Sequence, residues 1–236
     1  MKTLRVFTEL WLKRRTRLPG PMVISLILPL GVLIAFGIWG DRQTLGTTML
    51  KIVGFMTIMD GLAALVTIAE AREQATLRFF QTTRLNRGIF GLGFILHQVL
   101  FSLATGVLFA VVVMLFFGVR FDGNLLFALL FIALGSFTLT STGLAIATGL
   151  PSNFGIAFAV WPIILVPFIL FSGIFFQLSG ILLNIAYVFP TYHLMAGLQT
   201  ATLGIVEAGD TLVNLVVLAV WGCVSFFIVA RAFRWN

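Results

Sequence analysis

An all-α integral membrane protein with six transmembrane helices is the architecture to expect of this chain, and three observations point to it. Of 236 residues, 60% are hydrophobic and only 10% are charged, against roughly 25% charged in a soluble domain. Mean hydropathy is +1.10, and 25 Phe stand against 8 acids, too little polar side chain to cover a water-facing surface. The apolar runs are long and lack the alternation of a β-barrel; backbone groups inside lipid must be bonded within the protein, so the runs are helices. Together these properties exclude a soluble enzyme, a DNA-binding domain and a disordered tail. Cys223 is the one cysteine, which removes intrachain disulfides and leaves no Cys/His cluster for a metal.

The elements follow in order. In residues 1–21, Leu4, Phe7, Leu10, Trp11 and Leu18 recur at three- and four-residue intervals with Lys2, Arg5, Glu9 and Lys13 between them, the pattern of an amphipathic helix lying on the inner membrane surface. Apolar runs at 22–39, 52–69, 89–119, 125–150, 154–176 and 212–232 are the six spans. The first lacks a small-residue cleavage site and is expected to be retained rather than removed as a signal peptide. The third and fourth exceed the ~20 residues a bilayer needs and should tilt or protrude. Lys51 sits at the outer end of the second run, where it can snorkel to the headgroups. Residues 177–211 are interrupted by Gly180, Pro190, Gly197 and Gly204 and read as non-spanning.

Orientation follows from the bases. Residues Lys2, Arg5, Lys13, Arg14, Arg15 and Arg17, then Arg72, Arg78, Arg84 and Arg87, then Arg231 and Arg234 all fall on one side, against Arg42, Lys51 and Arg120 on the other. The positive-inside rule places both termini in the cytoplasm. The net charge of +7 is thereby a topology signal, and nucleic acid is not expected as a partner.

Residues 70–88 form the longest cytoplasmic connection. Glu70, Arg72, Glu73, Gln74 and Arg78 favour a short helix with acids in its first turn, as the helix dipole prefers. Gln81, Thr82, Thr83, Asn86 and Gly88 then read as a turn. Leu77, Phe79 and Phe80 are apolar residues off the bilayer; they dock on a protein partner or fold back on the membrane surface.

This segment, Glu70-Ala-Arg-Glu-Gln-Ala-Thr-Leu-Arg-Phe-Phe-Gln-Thr-Thr-Arg-Leu-Asn-Arg87, resembles the coupling segment of type-2 ATP-binding-cassette exporter permeases. The resemblance extends to Leu28-Pro29-Leu30, to Phe171-Ser-Gly-Ile-Phe-Phe-Gln-Leu178 and to Pro190-Thr-Tyr-His-Leu194, in order along nearly the whole chain. Ala75 departs from the family, where Gly is usual, as do Arg84 and Gln177, where Pro is common. The resemblance implies a half-transporter: a second copy of the chain or a related permease completes the path, and a coupling helix in each docks on a cytoplasmic ATPase subunit. Glu70, Arg72, Glu73, Thr76, Leu77, Arg78, Phe79, Phe80, Thr83 and Arg87 would make that coupling. It further implies short re-entrant helices between spans five and six, with Phe175, Phe176, Pro190, Tyr192 and His193 as outer-gate candidates. No G-x-x-x-x-G-K-[ST] phosphate loop occurs in the chain, so ATP and Mg are expected on the partner ATPase and no cofactor on this chain.

Polar residues inside the spans are the remaining candidates. Asp60 lies near the middle of the second span, where a charged side chain costs about 2.5 to 3.5 kcal/mol and so should face protein or water. A transport-path role and a packing role both fit. Ser136 and Thr140, with Gly143, share one face of the fourth span, either to let helices approach closely or to line a wet path. His97 and His193 stand alone, with no Ser/His/Asp arrangement for hydrolysis.

Three functions fit these observations. The first is the permease of an ATP-driven exporter of a drug, lipid, glycolipid or polysaccharide. The second is a proton-driven transporter using Asp60, and the third a membrane scaffold that moves no cargo.

Overall fold

The computed structural model describes residues 8–9, 13, 19–39, 42–74, 77, 86–119, 123–203, 208–233 and 235. Among them are helices α1 (Pro19–Trp39), α2 (Arg42–Leu62), α3 (Ala64–Glu73), α4 (Arg87–Phe117), α5 (Leu125–Gly149), α6 (Phe154–Leu170), α7 (Gly180–Ala186), α8 (Pro190–Leu203) and α9 (Ala208–Ala232). No strand occurs among the described residues. Most of the amphipathic element expected at residues 1–21, including Leu4, Phe7, Leu10, Trp11 and Leu18, lies outside them.

Four stretches are long and apolar enough to cross a membrane: Leu45–Glu73, Arg87–Phe117, Leu125–Gly149 and Asp210–Ala232. The runs expected as the first and fifth spans hold shorter apolar helices, Leu26–Trp39 and Phe154–Leu170. Gly180–Ala186 and Pro190–Ala201 meet at 98°, the shape of a broken span or a re-entrant loop.

Side-chain caps explain several boundaries. Asn86, Asn124 and Asn153 each precede a helix and accept from the backbone N–H of Gly88, Leu126 and Ile156 respectively, all at 2.9 Å. Each thereby satisfies one of the first-turn donors that have no partner within the helix. Gly118, with φ +67°, closes α4 in a left-handed conformation that glycine adopts without strain.

Three boundaries differ from the hydropathy pattern. The helix of the second span begins at Arg42 rather than residue 52, because polar residues such as Thr47 and Lys51 lower hydropathy without breaking a helix. Lys51 is therefore inside the helix, exposed, and not at its end. At its other end the same stretch continues past Ala69 to Glu73, so Glu70 and Glu73 occupy a last turn and not the first turn of a separate helix. The fifth span stops at Leu170, six residues before Phe176. There Ser172 Oγ donates to the Ile169 carbonyl at 2.6 Å and Gly173 takes φ +74°, which turns the chain away.

Helix α5 is the hub, packing against α9, α4, α2, α8 and α3. Its small residues permit this: a Cβ on Gly143 would fall 2.7 Å from the Gly61 carbonyl oxygen, and one on Gly61 would fall 2.6 Å from Leu139 Cβ. α2 and α5 thus cross backbone against backbone. Two apolar clusters flank this crossing. One includes Leu33, Val53, Ile58, Leu62, Phe109, Phe131, Leu139 and Leu198. The other includes Ala64, Ile68, Leu77, Phe90, Phe94, Leu144, Val229 and Phe233, at the end where α3 stops and α4 begins. On α4, α5 and α9, buried hydroxyls such as Ser102, Thr140 and Ser225 fall between the two.

Candidate functional site at the basic end of the bundle

The stretch singled out in the sequence as a docking segment is bounded by the end of α3 and the start of α4. Gln74 closes α3, its N–H donating to the Glu70 carbonyl at 3.0 Å and its side-chain amide to Glu70 Oε1 at 2.9 Å. Leu77 turns back: its N–H donates to the Ala71 carbonyl at 3.3 Å, and its side chain is fully buried in the second apolar cluster. Thr76, Arg78, Phe79, Phe80 and Thr83 lie outside the described residues.

The charged residues on either side are fastened to helix ends. Arg72, 5% exposed, donates from Nη1 to the Ala147 carbonyl at 2.7 Å, one of the last four carbonyls of α5, which no intrahelical N–H reaches. Its guanidinium also lies 5.2 Å from the centre of the Phe233 ring, a cation–π contact. Glu73, exposed, accepts from the N–H of Phe154 at 3.1 Å, the first residue of α6. Arg87, also exposed, donates to the Arg231 carbonyl at 3.1 Å, in the last turn of α9. Phe90, Phe233 and Trp235 pack mutually at 5.0 to 5.3 Å and close the base of the bundle. Of the expected coupling residues, then, Arg72 and Leu77 present no side chain to the surface, Glu70 is half-buried, and Glu73 and Arg87 are exposed but bonded.

Asp60 is half-buried and lines a small cavity with Val53, Met56, Thr57, Ser102 and Thr105. The space is about 10 Å³, enough for roughly one water. Ser136 is brought to the same place, its Oγ 3.1 Å from Ser102 Oγ. Thr140 is fully buried, and its Oγ1 has no hydrogen-bond partner among the described residues. Ser102 and Thr105 were not singled out from the sequence; their three-residue spacing on a mostly apolar helix was the available signal.

The opposite end is built differently. Pro190 is buried and opens α8 at a position where its missing N–H costs nothing. Buried His193 ties the bent pair to α9: its Nε2 lies 2.9 Å from the Tyr187 carbonyl and its Nδ1 2.7 Å from Asn214 Oδ1. Tyr192 stands edge-on to Tyr187 at 5.0 Å and to His193 at 5.5 Å. Phe175 and Phe176 are exposed, and Phe175 meets Phe55 of α2 at 6.1 Å instead of joining that group. Asn214 was missed because a lone amide in the last span carries no pattern.

Among the described residues no three His, Cys, Asp or Glu side chains gather as a metal site. The arrangement is one of fastened helix ends, a central polar seam and a bent pair. No curated protein sequence matches the chain. The family model for the ABC-2 type transporter matches residues 5–203, most of the 236. The chain therefore belongs to the ABC-2 type transporter family and is a multi-pass, non-catalytic transmembrane permease.

Proposed function

We propose that this permease is the membrane half of an ATP-driven exporter, moving a hydrophobic or amphipathic cargo such as a drug, lipid, glycolipid or polysaccharide out of the cytoplasm or inner leaflet. Two cytoplasmic ATPase subunits, carrying ATP and Mg, supply the energy, and a second copy or a related permease completes the path. The six-span topology with both termini inside belongs to this reading, with α1 and α6 as spans. α6 alone is about 25 Å long at ~1.5 Å per residue, and residues 171–176 would complete the crossing. In its favour, Arg72, Arg87 and Arg231 gather at one end of the bundle, as the positive-inside rule expects of the cytoplasmic face.

The observation that carries the proposal is the family match over a segment whose two flanks are bonded to other helices. A short aromatic stretch held in that way can dock on an ATPase and pass its closure inward. Asp60, Ser102 and Ser136 are the proposed polar element of the translocation path, and the group around Tyr192 and His193 the proposed outer gate. Co-purification with a cytoplasmic ATPase subunit from the same cell tests the reading. Phe79→Asp or Phe80→Asp is expected to cut association by at least about tenfold, as for a buried aromatic anchor in an interface. Unchanged association and unchanged export in both variants would count against the coupling assignment. Export that persists without the ATPase, driven by a proton gradient and abolished by Asp60→Asn, would replace it with a secondary transporter.

A further inference from the structure

We infer that Arg87 and Arg231 form a binding site for the phosphate of an anionic phospholipid, whose acyl chains lie along the exposed seam between α4 and α9. The inference needs these two helices to span a membrane, as their length and apolarity allow. It stands apart from the exporter reading.

Charge comes first. Arg87 opens α4 and Arg231 stands in the last turn of α9, both exposed, and the 3.1 Å bond from Arg87 Nη1 to the Arg231 carbonyl brings the two residues together. Among the described residues neither guanidinium meets a carboxylate: Arg87 spends one donor on that carbonyl, and Arg231 spends none. The sequence explains why. Residues 74–121 and 211–236 contain no Asp or Glu, so α4 carries no acid and α9 has only Asp210, in its first turn at the far end. Two like charges held side by side then favour an anion from outside the chain. The planar fork of each guanidinium matches phosphate oxygens.

Direction selects the kind of anion. The Arg231 guanidinium lies 5.0 Å from the centre of the Phe227 ring, four residues earlier and so one turn deeper in the span. The charge is therefore turned back over an apolar side chain at the rim of the membrane. Below that rim the surface stays apolar. Arg231, Phe227 and Cys223 follow one stripe of α9 at four-residue spacing, and Gly88, Leu92 and Leu96 one stripe of α4. The two helices close on each other along the glycines, since a Cβ on Gly91 would fall 3.0 Å from Val229 Cγ1 and one on Gly88 3.8 Å from Ala230 Cβ. Leu92, Leu96, Cys223 and Phe227 remain exposed beside that contact. A pair of cations at the head of a continuous apolar seam fits a molecule with phosphate at one end and acyl chains at the other. Free phosphate or an acidic protein surface would match the arginines alone.

The test uses the full-length protein with a fluorophore on Cys223, about 12 Å from Arg231 at ~1.5 Å per residue, in phosphatidylcholine nanodiscs. A small fraction of the lipid carries brominated chains, which quench a nearby fluorophore, on phosphatidylglycerol in one arm and on phosphatidylcholine in the other. Phosphatidylglycerol is expected to quench at the lower fraction. Arg231→Gln, which breaks no hydrogen bond among the described residues, should weaken this preference about fivefold, and Arg87→Gln with Arg231→Gln at least about tenfold. Lys51→Gln, which removes an exposed base of α2, should leave it within about twofold. Equal quenching by the two lipids in the wild type overturns the inference, as does a preference that survives in Arg231→Gln, the deciding variant should the double one fail to assemble. A loss as large in Lys51→Gln overturns it in favour of general surface charge. Displacement by soluble glycerophosphoglycerol would make this a free-phosphate site, and a double variant that keeps its lipid preference but loses ATPase association would make it a protein contact; either result overturns the lipid assignment.

Discussion

The two ends of the bundle are held by different chemistry. At the basic end, ions reach unmatched helix termini: Arg72, Glu73 and Arg87 on α5, α6 and α9. At the other, hydrogen bonds and ring contacts join the elements: His193 to Asn214 and the Tyr187 carbonyl, Thr191 Oγ1 to the Phe168 carbonyl at 2.7 Å, with Phe171 stacked on Phe189 at 4.8 Å. Exposed charge–terminus contacts, as at Glu73 and Arg87, are screened by salt and tolerant of small shifts, whereas buried hydrogen bonds, that of Arg72 included, are directional and costly to leave unmade. The basic end thus combines one buried anchor with two exposed ties that yield by degrees, while the other end holds one arrangement until it breaks. That asymmetry suits the proposed exporter, in which the drive comes from the basic end.

The largest effect removes the comparison by damaging what both ends share. Gly143→Val places side-chain atoms where the Gly61 carbonyl now sits, and backbone cannot give way as a flexible side chain would. About 3 kcal/mol of stability should be lost, read as a fall in the melting temperature of the detergent-purified protein, with both ends loosened. If hydrogen exchange rises at one end only, α5 is not the common support.

Next in size are the two buried polar groups that anchor the ends. Arg72→Met keeps the stem that packs near Phe233 but removes the charged bond to Ala147, and should cost about 2 kcal/mol. His193→Leu strands the Tyr187 carbonyl and the Asn214 amide, at about 1.5 kcal/mol. The comparison is sharpened by where the damage appears. Proteolysis in lipid should quicken at the turn of residues 150–153 for the first variant and at Tyr187 for the second. Equal cleavage at both sites in either variant would mean that the ends are not independent.

These anchors also mark the limit of what could be read from the chain before folding. The helical class, four of the six expected spans and the bent, non-continuous stretch around Pro190 were legible because lipid allows few ways to satisfy a backbone. Cap residues were half-legible: Asn86 was read as part of a turn and proved to be the N-cap of α4. The destination of Arg72 was not legible at all. Its partner is a backbone carbonyl 75 residues away, and every residue has a carbonyl, so no side-chain pattern announces which one is left over. The same holds for Glu73 and the Phe154 amide. Hydropathy likewise misjudged both ends of the second span, since Lys51 and Glu73 are unfavourable to lipid but acceptable to a helix.

The smallest expected effect is the most specific to the proposed difference between the ends. Glu73→Gln keeps the shape and a weaker acceptor but removes the charge facing the amide end of α6. Because the contact is exposed, the loss should be only about 0.5 kcal/mol, seen as roughly twofold faster hydrogen exchange at the first amides of α6 with no change at α8. Salt gives the decisive control. Raising ionic strength to about 1 M shortens the Debye length to ~3 Å, so the wild type should drift toward the variant while the variant stays where it was. The His193 contacts at the far end, being buried, should respond much less. A salt-independent difference at α6 would assign Glu73 to ordinary hydrogen bonding, and the contrast between an exposed, salt-sensitive contact and a buried one would not hold there.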